Sequence, residues 1–266
     1  MKVDIIIPTY NRLPFLKNCI SSLHYKTKID YNLYIIDDCS TDGTQEWLAV
    51  LKQPNLKEVI LNKERRGLTF GFDILWDMIK GMNWFYGEKS EYLCLLQDDT
   101  EIMEENWLSN LIWNYGYLTS GRFEHTYNIG FFSGHDAPEH PAIEIVPYSE
   151  TSDHKPWNVK IKKSMRATNI IGEWGFWESI GKVPRLQPNG SDRGFPSPGS
   201  PNIRGRGSNF DVYLTGCQSK GTVVDFGRTT KNSAYHQGKV CMIIPGLVKH
   251  IALDVKDSTW NNKNIE

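Results

Sequence analysis

The sequence predicts an α/β fold with a mostly parallel central sheet flanked by helices, followed by a less regular second half. Three observations support this prediction: short apolar runs typical of buried strands, helical periodicity between them, and polar motifs directly after the strands. The 266 residues suffice for one large domain or two fused halves, and a content of 39% apolar and 23% charged residues is typical of a globular protein.

Strands and helices alternate through the first half of the chain. The first strand, residues 3–7, is almost wholly apolar, as expected of a strand buried on both faces. The remaining predicted strands are residues 31–36, 58–61 and 92–96, and the predicted helices are residues 13–23, 43–51, 69–82 and 104–115. The last of these helices is expected to carry its acids in the first turn. Such an alternation predicts a parallel sheet with crossover helices.

The second half contains fewer predicted elements. These are strands at residues 127–132, 222–225 and 240–244, and a helix at residues 209–220 that ends at Gly221. Residues 184–207 are rich in Pro, Gly, Arg and Asn, which predicts a long loop of the kind that often serves as a lid. Residues 254–266 are polar and are expected to fray.

Cysteine usage and the apolar runs bear on the location of the protein. The five cysteines are isolated in the sequence, without a CxxC pair, and are expected to be free thiols in a reducing compartment: Cys19, Cys39, Cys94, Cys217 and Cys241. The first residues lack the features of a signal peptide, and no apolar run approaches the ~20 residues that span a bilayer. We therefore expect a cytoplasmic protein without a transmembrane segment.

Polar motifs follow three of the predicted parallel strands, at the edge where such sheets bind ligands. They are residues 8–12, 37–44 and 97–101. Asp98 and Asp99 are adjacent carboxylates at the edge of the core, and they repel each other unless a cation or several donors are close. A divalent ion that bridges a diphosphate would supply this charge, since Mg²⁺ commonly uses one or two carboxylates plus phosphates. The alternative is a helix N-terminal turn with exposed acids.

The segments DIIIPTYNR at residues 4–12 and IIDDCSTDGT at residues 35–44 resemble the opening of family 2 glycosyltransferases of the GT-A fold, which is Rossmann-like. Residues 62–67 resemble the next loop of that family, which contacts the nucleotide. Residues 96–99 resemble its DxD-type metal motif, although Gln97 stands where an Asp is common. The likeness is close over residues 3–105 and continues beyond them only in order and spacing.

This resemblance implies a division of labour within one compact domain. Residues 1–105 would form the nucleotide-sugar-binding half, and residues 106–266 the acceptor-binding and catalytic half. In the first half, the implied nucleotide-binding residues are Pro8, Thr9, Asn11, Arg12, Asp38, Arg66 and Asp98. Asp38 would accept a hydrogen bond from the base, usually uracil, and Asp98 would face the ribose or the donor sugar.

The resemblance also implies a divalent metal. Asp99 would bind Mn²⁺ or Mg²⁺, which acts as a Lewis acid on the departing diphosphate. His250 lies in residues 245–251, a second segment that is similar to the family, and its imidazole would approach the metal or the diphosphate. An imidazole ligand favours Mn²⁺ over Mg²⁺. The alternative for His250 is a structural histidine.

The general base is less clear from the sequence. Inverting members use a carboxylate to deprotonate the acceptor hydroxyl. In the family this carboxylate usually belongs to an acidic pair that opens a helix late in the second half. In this chain the corresponding stretch is residues 205–211, where Ser208 and Asn209 stand in place of the expected acids. Asp211 and Asp192 are the candidate bases, and Glu173 is a third. Inversion is therefore expected only because the family usually inverts.

Residues 155–206 contain ten basic and three acidic side chains, a net charge of +7, although the whole chain carries −1. In the family this region faces the acceptor, so its field would concentrate an anionic acceptor. Candidates are a phosphate-containing wall polymer, a phospholipid-linked glycan, or nucleic acid with a hydroxylated base. The alternative is a solvated face balanced by nearby acids. Trp157, Trp174 and Trp177 lie among these charges, and they either stack on a sugar or base or pack in the core.

The sequence thus predicts a metal-dependent enzyme that moves a sugar from a nucleotide-sugar donor, with UDP-sugar favoured, to an acceptor hydroxyl. One alternative is a sugar nucleotidyltransferase, although residues 8–12 lack the Gly-rich phosphate loop that such enzymes carry after their first strand. Another is a binding module for glycans or nucleic acids that has lost its base, which Ser208 and Asn209 suggest. Turnover of the donor separates this module from an enzyme.

Overall fold

The apolar runs of the first half form strands in the computed structural model. The structure describes residues 1–87, 90–120, 127–136, 142–147, 158–162, 165, 168–180, 223–225, 228–230 and 240–251. The first half runs β1 Val3–Thr9, α1 Leu13–Lys26, β2 Tyr31–Asp37, α2 Thr44–Ala49, β3 Leu56–Leu61, α3 Leu68–Tyr86, β4 Tyr92–Leu96, β5 Thr100–Ile102 and α4 Trp107–Thr119. The second half contains β6 Ile129–Ser133, β7 Ala142–Pro147, β8 Asn158–Lys162, β9 Asn169–Glu173, α5 Trp174–Ile180, β10 Val223–Asp225, β11 Arg228–Thr230, β12 Val240–Ile243 and β13 Val248–His250.

One large sheet contains strands from both halves, in the order β3-β2-β1-β4-β9-β6-β12-β8-β7. β1 runs parallel to β2 and β4, β2 runs parallel to β3, and β6 runs parallel to β12. β9 is antiparallel to β4 and β6, and β8 is antiparallel to β12 and β7. The predicted α/β class is therefore confirmed, and β3, β2, β1 and β4 form the parallel part of the sheet that the first half predicts. The functional division at residue 105 stays a prediction.

Side chains alternate between the two faces of this sheet, which explains the apolar first strand. Ile5 and Ile7 belong to the core cluster that contains the buried residues of α1 and α4, such as Leu16 and Trp107. Ile6 belongs to the cluster on the other face, with residues of α3 and α5. Because both faces of β1 are covered by helices, its sequence reads as a continuous apolar run rather than an alternating one.

The two tryptophans of α5 belong to the second cluster. Trp174 and Trp177 are buried, and their ring centroids lie 5.7 and 5.9 Å from that of Trp76 in α3. The indole of Trp177 also donates a hydrogen bond to the Leu93 carbonyl at 3.0 Å. Of the two alternatives for these residues, the structure shows core packing and not an exposed stacking surface. Trp157 lies outside the described residues.

The helix predicted at residues 104–115 begins later than expected, at Trp107, after Asn106 in a left-handed conformation with φ 59°. β5 pairs with β13 in a second, two-stranded sheet, and a bend and a turn at residues 104–106 separate β5 from the helix. The two acids at 104 and 105 therefore precede the helix and do not lie in its first turn. This early start was wrong because the partner of β5 lies far along the chain, beyond any local pattern.

Other predicted segments lie partly or wholly outside the described residues. The strands expected at 222–225 and 240–244 correspond to β10 and β12. The loop at 184–207, the helix at 209–220 and the end at 254–266 are outside the described part of the chain. Cys19, Cys39, Cys94 and Cys241 are free thiols, as predicted. Among the helices described, none has the length and apolar character to cross a membrane.

Candidate active site

Asp42 brings the starts of α1 and α2 together beside the carboxyl ends of the parallel strands. Its carboxylate accepts hydrogen bonds from the backbone N–H of Leu13 at 3.0 Å and from the N–H and hydroxyl of Thr44 at 3.2 and 2.6 Å. Partial burial opposes ionisation, but these hydrogen bonds outweigh it and lower the pKa of Asp42. One side chain thus caps two helices and joins the segments that follow β1 and β2.

Asn11 makes the second connection between these segments. It has φ 52°, a left-handed conformation that Asn tolerates better than most residues. Its side-chain oxygen accepts a hydrogen bond from the N–H of Thr41 at 2.7 Å, and its own N–H donates to the Ser40 hydroxyl at 2.8 Å. Asn11 is buried, so in this structure it organises the two loops that the resemblance assigns to the nucleotide.

Asp38 links β2 to the loop that follows β3. Its two oxygens accept hydrogen bonds from the N–H groups of Arg66 and Gly67, each at 2.7 Å, and from the Asn62 side chain at 3.3 Å. Burial nevertheless raises the pKa of Asp38 above its ordinary value. The guanidinium of Arg66 forms an ion pair with Glu64. Asp38 therefore shapes the loop that carries Arg66.

One aromatic and one basic side chain, Tyr10 and Arg65, lie together in the outer part of this region, and the sequence does not predict their contact. The Arg65 guanidinium lies 4.2 Å from the ring centroid of Tyr10, which is within the range of a cation–π interaction. An open recess beside the same loop is lined by Leu61, Asn62, Lys63, Glu64, Arg66 and Ile74. The signal available in the sequence was that Tyr10 lies within the motif of residues 8–12 and Arg65 within that of residues 62–67.

Asp98 and Asp99 follow β4 and are almost fully buried, with 6% and 1% of their surface exposed. The hydroxyl of Thr9, at the end of β1, donates to Asp98 Oδ2 at 2.7 Å. Arg12 Nη1 contacts Asp99 Oδ2 and lies 3.4 Å from Asp98 Oδ1. Burial raises the pKa of Asp98 to about 7, and the charge of Asp99 adds to this effect, whereas Arg12 and Thr9 oppose it. The ends of β1 and β4 therefore meet through charged side chains.

His250 reaches the same carboxylates from the end of β13. It stands opposite Thr100 in the β13–β5 pair, and the N–H of Ile251 donates to the Asp99 carbonyl at 2.9 Å. As a result, His250 Nε2 lies 3.2 Å from Asp99 Oδ1. The ring of His135, which follows β6, lies next to it with 6.1 Å between the ring centroids. No sequence pattern connected His135 with this site.

Asp99 and His250 are a suitable pair of donors for a divalent cation. Asp99 Oδ1 is buried and accepts no hydrogen bond from any residue that the structure describes. A carboxylate oxygen beside an imidazole nitrogen matches the preferences of Mn²⁺. Within the described ranges, no three His, Cys, Asp or Glu side chains are grouped as a metal site. A cation held by this pair would therefore take its remaining ligands from a diphosphate and water, as is usual for Mg²⁺ and related ions.

A buried network from the second half supports this arrangement. The carbonyl of Thr168 accepts hydrogen bonds from the Gln97 N–H at 3.0 Å and the Thr100 hydroxyl at 3.2 Å. The side chain of Asn169 accepts one from the Gly134 N–H at 2.9 Å. The Val248 N–H in turn donates to the Gly134 carbonyl at 3.1 Å. The start of β9 thus fixes both the acidic turn and the loop on which β13 rests.

Among the residues that the structure describes, none of the three candidate bases lies at this edge of the sheet. Glu173 pairs with Tyr92 at the start of β4, whereas the acidic turn follows the end of that strand. It therefore lies at the opposite edge of the sheet, and the structure does not place it as a base for this site. Asp192 and Asp211 lie outside the described residues, and their role stays a prediction.

The basic region is only partly described. Lys160 and Lys162, on β8, both form ion pairs with Asp136, just after β6. The charge of the two lysines is therefore balanced in part by an acid from another element. Lys162 is only 3% exposed, so it does not belong to a solvated face. The remaining basic residues of the region lie outside the described ranges.

Comparison with known proteins shows which family the first part of this chain resembles. The family model described as Glycosyl transferase family 2 matches residues 4–115, which include the loops after β1, β2 and β3 and the acidic turn after β4. An uncharacterized glycosyltransferase of Rickettsia felis is 26% identical in an alignment of 149 residues that covers 52% of this chain and 23% of that protein. One of Rickettsia conorii is 26% identical over 143 residues, with the same two coverages, 52% and 23%.

Two solved structures show weaker likeness. The mannosyltransferase PcManGT from Pyrobaculum calidifontis, in complex with GDP-Man and Mn²⁺, has 15% identity and a TM-score of 0.45, over 68% of this chain and 47% of that chain. TarS 1–349 of S. aureus, in complex with UDP-GlcNAc, has 18% identity and a TM-score of 0.40, over 55% of this chain and 39% of that chain.

The family match, and not the structural likeness, bears on the class of the protein: residues 4–115 are similar to family 2 glycosyltransferases, and this matched part contains Thr9, Arg12, Asp38, Asp98 and Asp99. The chain spans about a quarter of the length of the relatives that it matches.

Proposed function

We propose that this protein transfers a sugar from a nucleoside diphosphate sugar, with UDP-sugar favoured, to a hydroxyl group of its acceptor. The observation that carries the proposal is the contact series at one edge of the sheet, in which Thr9 and Arg12 contact Asp98 and Asp99, and His250 approaches Asp99. It joins three strand ends that are distant in sequence around two buried carboxylates. Such a buried pair is suited to a cationic or multiply hydrogen-bonded ligand.

In this proposal the loop held by Asp38 contacts the nucleotide. The Asp38 carboxylate organises Asn62, Arg66 and Gly67 through three hydrogen bonds, and so presents Arg66 and the neighbouring Arg65 toward the base or the phosphates. Thr9 and Asp98 face the ribose or the donor sugar. Because these groups are fixed by the protein before the donor binds, little ordering remains to be done on binding.

Asp99 and His250 are the proposed protein ligands of Mn²⁺ or Mg²⁺, with Mn²⁺ favoured by the imidazole. When bound, such an ion stabilises negative charge on the departing diphosphate as a Lewis acid. The chain's own contribution is to hold a buried carboxylate oxygen and an imidazole nitrogen 3.2 Å apart at the end of the donor loops.

Asp211 or Asp192 is the proposed base that takes the proton of the attacking hydroxyl, and inversion at the anomeric carbon is part of the proposal.

An anionic acceptor is proposed from the net charge of +7 in residues 155–206. Binding of acceptor polymers, measured across a salt series, tests this part. A response that does not change with salt contradicts an anionic acceptor. A cytoplasmic location is proposed from the free thiols.

The donor site is tested first by thermal unfolding with UDP, GDP, CDP and ADP, each with and without Mn²⁺. A ligand at about 100 times its dissociation constant adds roughly 2.7 kcal/mol to the free energy of unfolding, which raises the midpoint by several degrees. We expect one nucleotide, UDP, to give a shift that requires Mn²⁺. Asp99→Asn should abolish the dependence on Mn²⁺, whereas Glu105→Gln, at an exposed acid six residues on, should keep it.

Hydrolysis or transfer of the donor then separates an enzyme from a binding module. A shift with UDP and Mn²⁺ but no turnover of any UDP-sugar would favour the module. No shift with any nucleotide would contradict the proposed donor site itself.

A further inference from the structure

The Arg12 side chain occupies the position of a counter-ion between the two buried carboxylates. Its side chain is 16% exposed, and its Nη1 contacts Asp99 Oδ2 while lying 3.4 Å from Asp98 Oδ1. The resemblance assigns Arg12 to the nucleotide, and the sequence predicts no contact with the acids. The structure therefore shows a cationic side chain already bound to the carboxylates that are proposed to receive a metal ion.

This ion pair has a clear electrostatic reason. Two adjacent carboxylates with 6% and 1% exposure cannot both be charged at low cost without a neighbouring positive charge. The Thr9 hydroxyl offers one neutral hydrogen bond to Asp98, at 2.7 Å. The guanidinium, which keeps its charge at all relevant pH values, supplies the rest. Arg12 therefore supplies positive charge beside the acidic pair in the protein without ligand.

The backbone at Arg12 is fixed, so only its side chain can leave the acids. Arg12 directly precedes α1, and its carbonyl accepts a hydrogen bond from the Leu16 N–H at 2.9 Å. The preceding Asn11 is held to Thr41 and Ser40, and the following Leu13 to Asp42. Rotation of the long side chain about its own bonds is the available movement.

A divalent cation at Asp99 Oδ1 and His250 Nε2 would lie next to this guanidinium, because Arg12 contacts the other oxygen of the same carboxylate. Like charges at such a distance in a buried site repel strongly. The diphosphate of a donor offers the guanidinium a new anionic partner of the kind that Arg binds well. A metal ion at Asp99 would therefore be repelled by the Arg12 guanidinium in the free protein, and less so in the donor complex, where the guanidinium binds the diphosphate.

We propose that Arg12 is the resident counter-cation of the Asp98–Asp99 pair, and that a divalent metal ion binds in competition with it until the donor diphosphate draws the guanidinium away. This inference rests on the proposed function. It makes Arg12 a positioning residue that couples metal binding to donor binding. The coupling is reciprocal, so the metal strengthens donor binding by the same factor.

The test is the affinity for Mn²⁺ alone, measured by electron paramagnetic resonance of the unbound ion, in the full chain without nucleotide. Arg12→Gln removes the competing charge and should bind Mn²⁺ about tenfold more tightly than the unchanged protein. Lys17→Gln removes one positive charge five residues along, on the exposed side of α1, and should leave the affinity unchanged. Asp99→Asn should lose Mn²⁺ binding whether or not Arg12 is also replaced.

The second measurement is the gain in Mn²⁺ affinity caused by UDP. Arg12→Gln should reduce this gain, because the competition that UDP relieves is absent from the variant. If Arg12→Gln does not keep a native circular dichroism spectrum, Arg12→Met, which retains most of the apolar stem, takes its place with the same expected values. Circular dichroism also separates a folding defect from a change in affinity.

A folded Arg12→Gln or Arg12→Met variant that binds Mn²⁺ alone with unchanged or lower affinity overturns this inference but leaves the proposed function intact. If instead the unchanged protein binds no Mn²⁺ even with UDP, the proposed metal-dependent function fails first, and this inference falls with it. A merely structural Arg12 would alter thermal stability without raising the affinity for the metal.

Discussion

Single carboxylates hold the ends of separate loops together in this protein. Asp42 caps two helices, and Asp38 holds the loop after β3 by two backbone N–H groups. Both carboxylates accept hydrogen bonds from backbone N–H groups at the start of a helix or in a loop, where the N–H groups of the first helical turn have no partner within the helix itself. At the residue scale, the order of the site therefore depends on hydrogen bonds from charged acceptors to the backbone.

Asp42→Ala should lower the free energy of unfolding by about 1 kcal/mol at pH 7, because a helix cap is lost. The pKa of Asp42 is lowered in the folded state from its ordinary value of 3.8. Its contribution is therefore present above that value and is lost as the pH falls through the folded-state pKa. Urea unfolding at pH 7 and pH 3 should show the difference from the unchanged protein shrinking at pH 3, whereas Asp30→Ala, at an exposed acid, should have little effect at either pH.

Asp38→Asn should weaken UDP binding by tenfold or more. The new amide group can satisfy only part of the three donors that now face the carboxylate, and a buried unsatisfied donor costs about 1–3 kcal/mol. Isothermal titration with UDP and Mn²⁺ measures the loss. Glu46→Gln, an exposed acid on α2, is the matched control. Equal affinities for Asp38→Asn and Glu46→Gln would show that this loop does not contact the nucleotide.

At the scale of elements, the position of β13 depends on a close approach of two backbones. A Cβ atom on Gly134 would lie 2.8 Å from Val248 Cγ2 and 2.9 Å from Leu247 Cβ. The glycine after β6 therefore allows β13 to lie against this loop and to present His250 to Asp99. β13 is short, so its place is determined by this contact and by pairing with β5.

Gly134→Ala should destabilise the protein by about 1–3 kcal/mol, because the added methyl group overpacks this contact. It should also weaken Mn²⁺ binding, since β13 must shift. Gly116→Ala is the matched control, because a Cβ there would meet nothing within 4 Å and the residue lies inside α4. That substitution should stabilise the protein by about 0.5–1 kcal/mol. Thermal unfolding and Mn²⁺ titration of both variants decide the matter, and an unchanged metal affinity in Gly134→Ala would argue against His250 as a ligand.

At the scale of the whole molecule, Asp4 ties distant parts of the chain together at the edge of the sheet opposite the site. This fully buried carboxylate in β1 accepts hydrogen bonds from Asn32 at 2.7 Å, Ser90 at 2.9 Å and the Trp174 indole at 3.0 Å. Trp174 lies 170 residues away in α5. One polar group inside the core therefore fixes α5 of the second half against the first strand.

Asp4→Asn should lower the free energy of unfolding by about 3 kcal/mol, because its amide group cannot accept from all three donors and leaves buried polar groups unpaired. For a chain of this size, each 1 kcal/mol lowers the midpoint by about 2–4 °C. Trp174→Phe removes only one of the three hydrogen bonds and should cost less, about 1–2 kcal/mol. Differential scanning fluorimetry of both variants tests the order. If Trp174→Phe proved the more damaging, packing of the indole would outweigh the polar network.

The sequence by itself determined the elements whose signals are local. The apolar run of β4 was predicted with its observed bounds, and β1, α1 and α3 within a few residues, because strand and helix periodicity depend on neighbours in the chain. The motifs after β1, β2 and β4 were also visible in the sequence, since parallel strands bring their carboxyl ends to one edge. No local pattern predicts the approach of His250 to Asp99, and the role that the resemblance gives His250 stays a prediction.

Only the tertiary structure decided the contacts that join distant segments. The sequence did not show that Arg12 contacts both acids, that His135 lies beside His250, or that Asn169 holds the loop at Gly134. Nor did it predict β5 and β13, because short strands exist only through pairing with each other. In each case the partners are dozens of residues or more apart in the sequence. Their contact can form and stabilise the protein only after the sheet has brought them together.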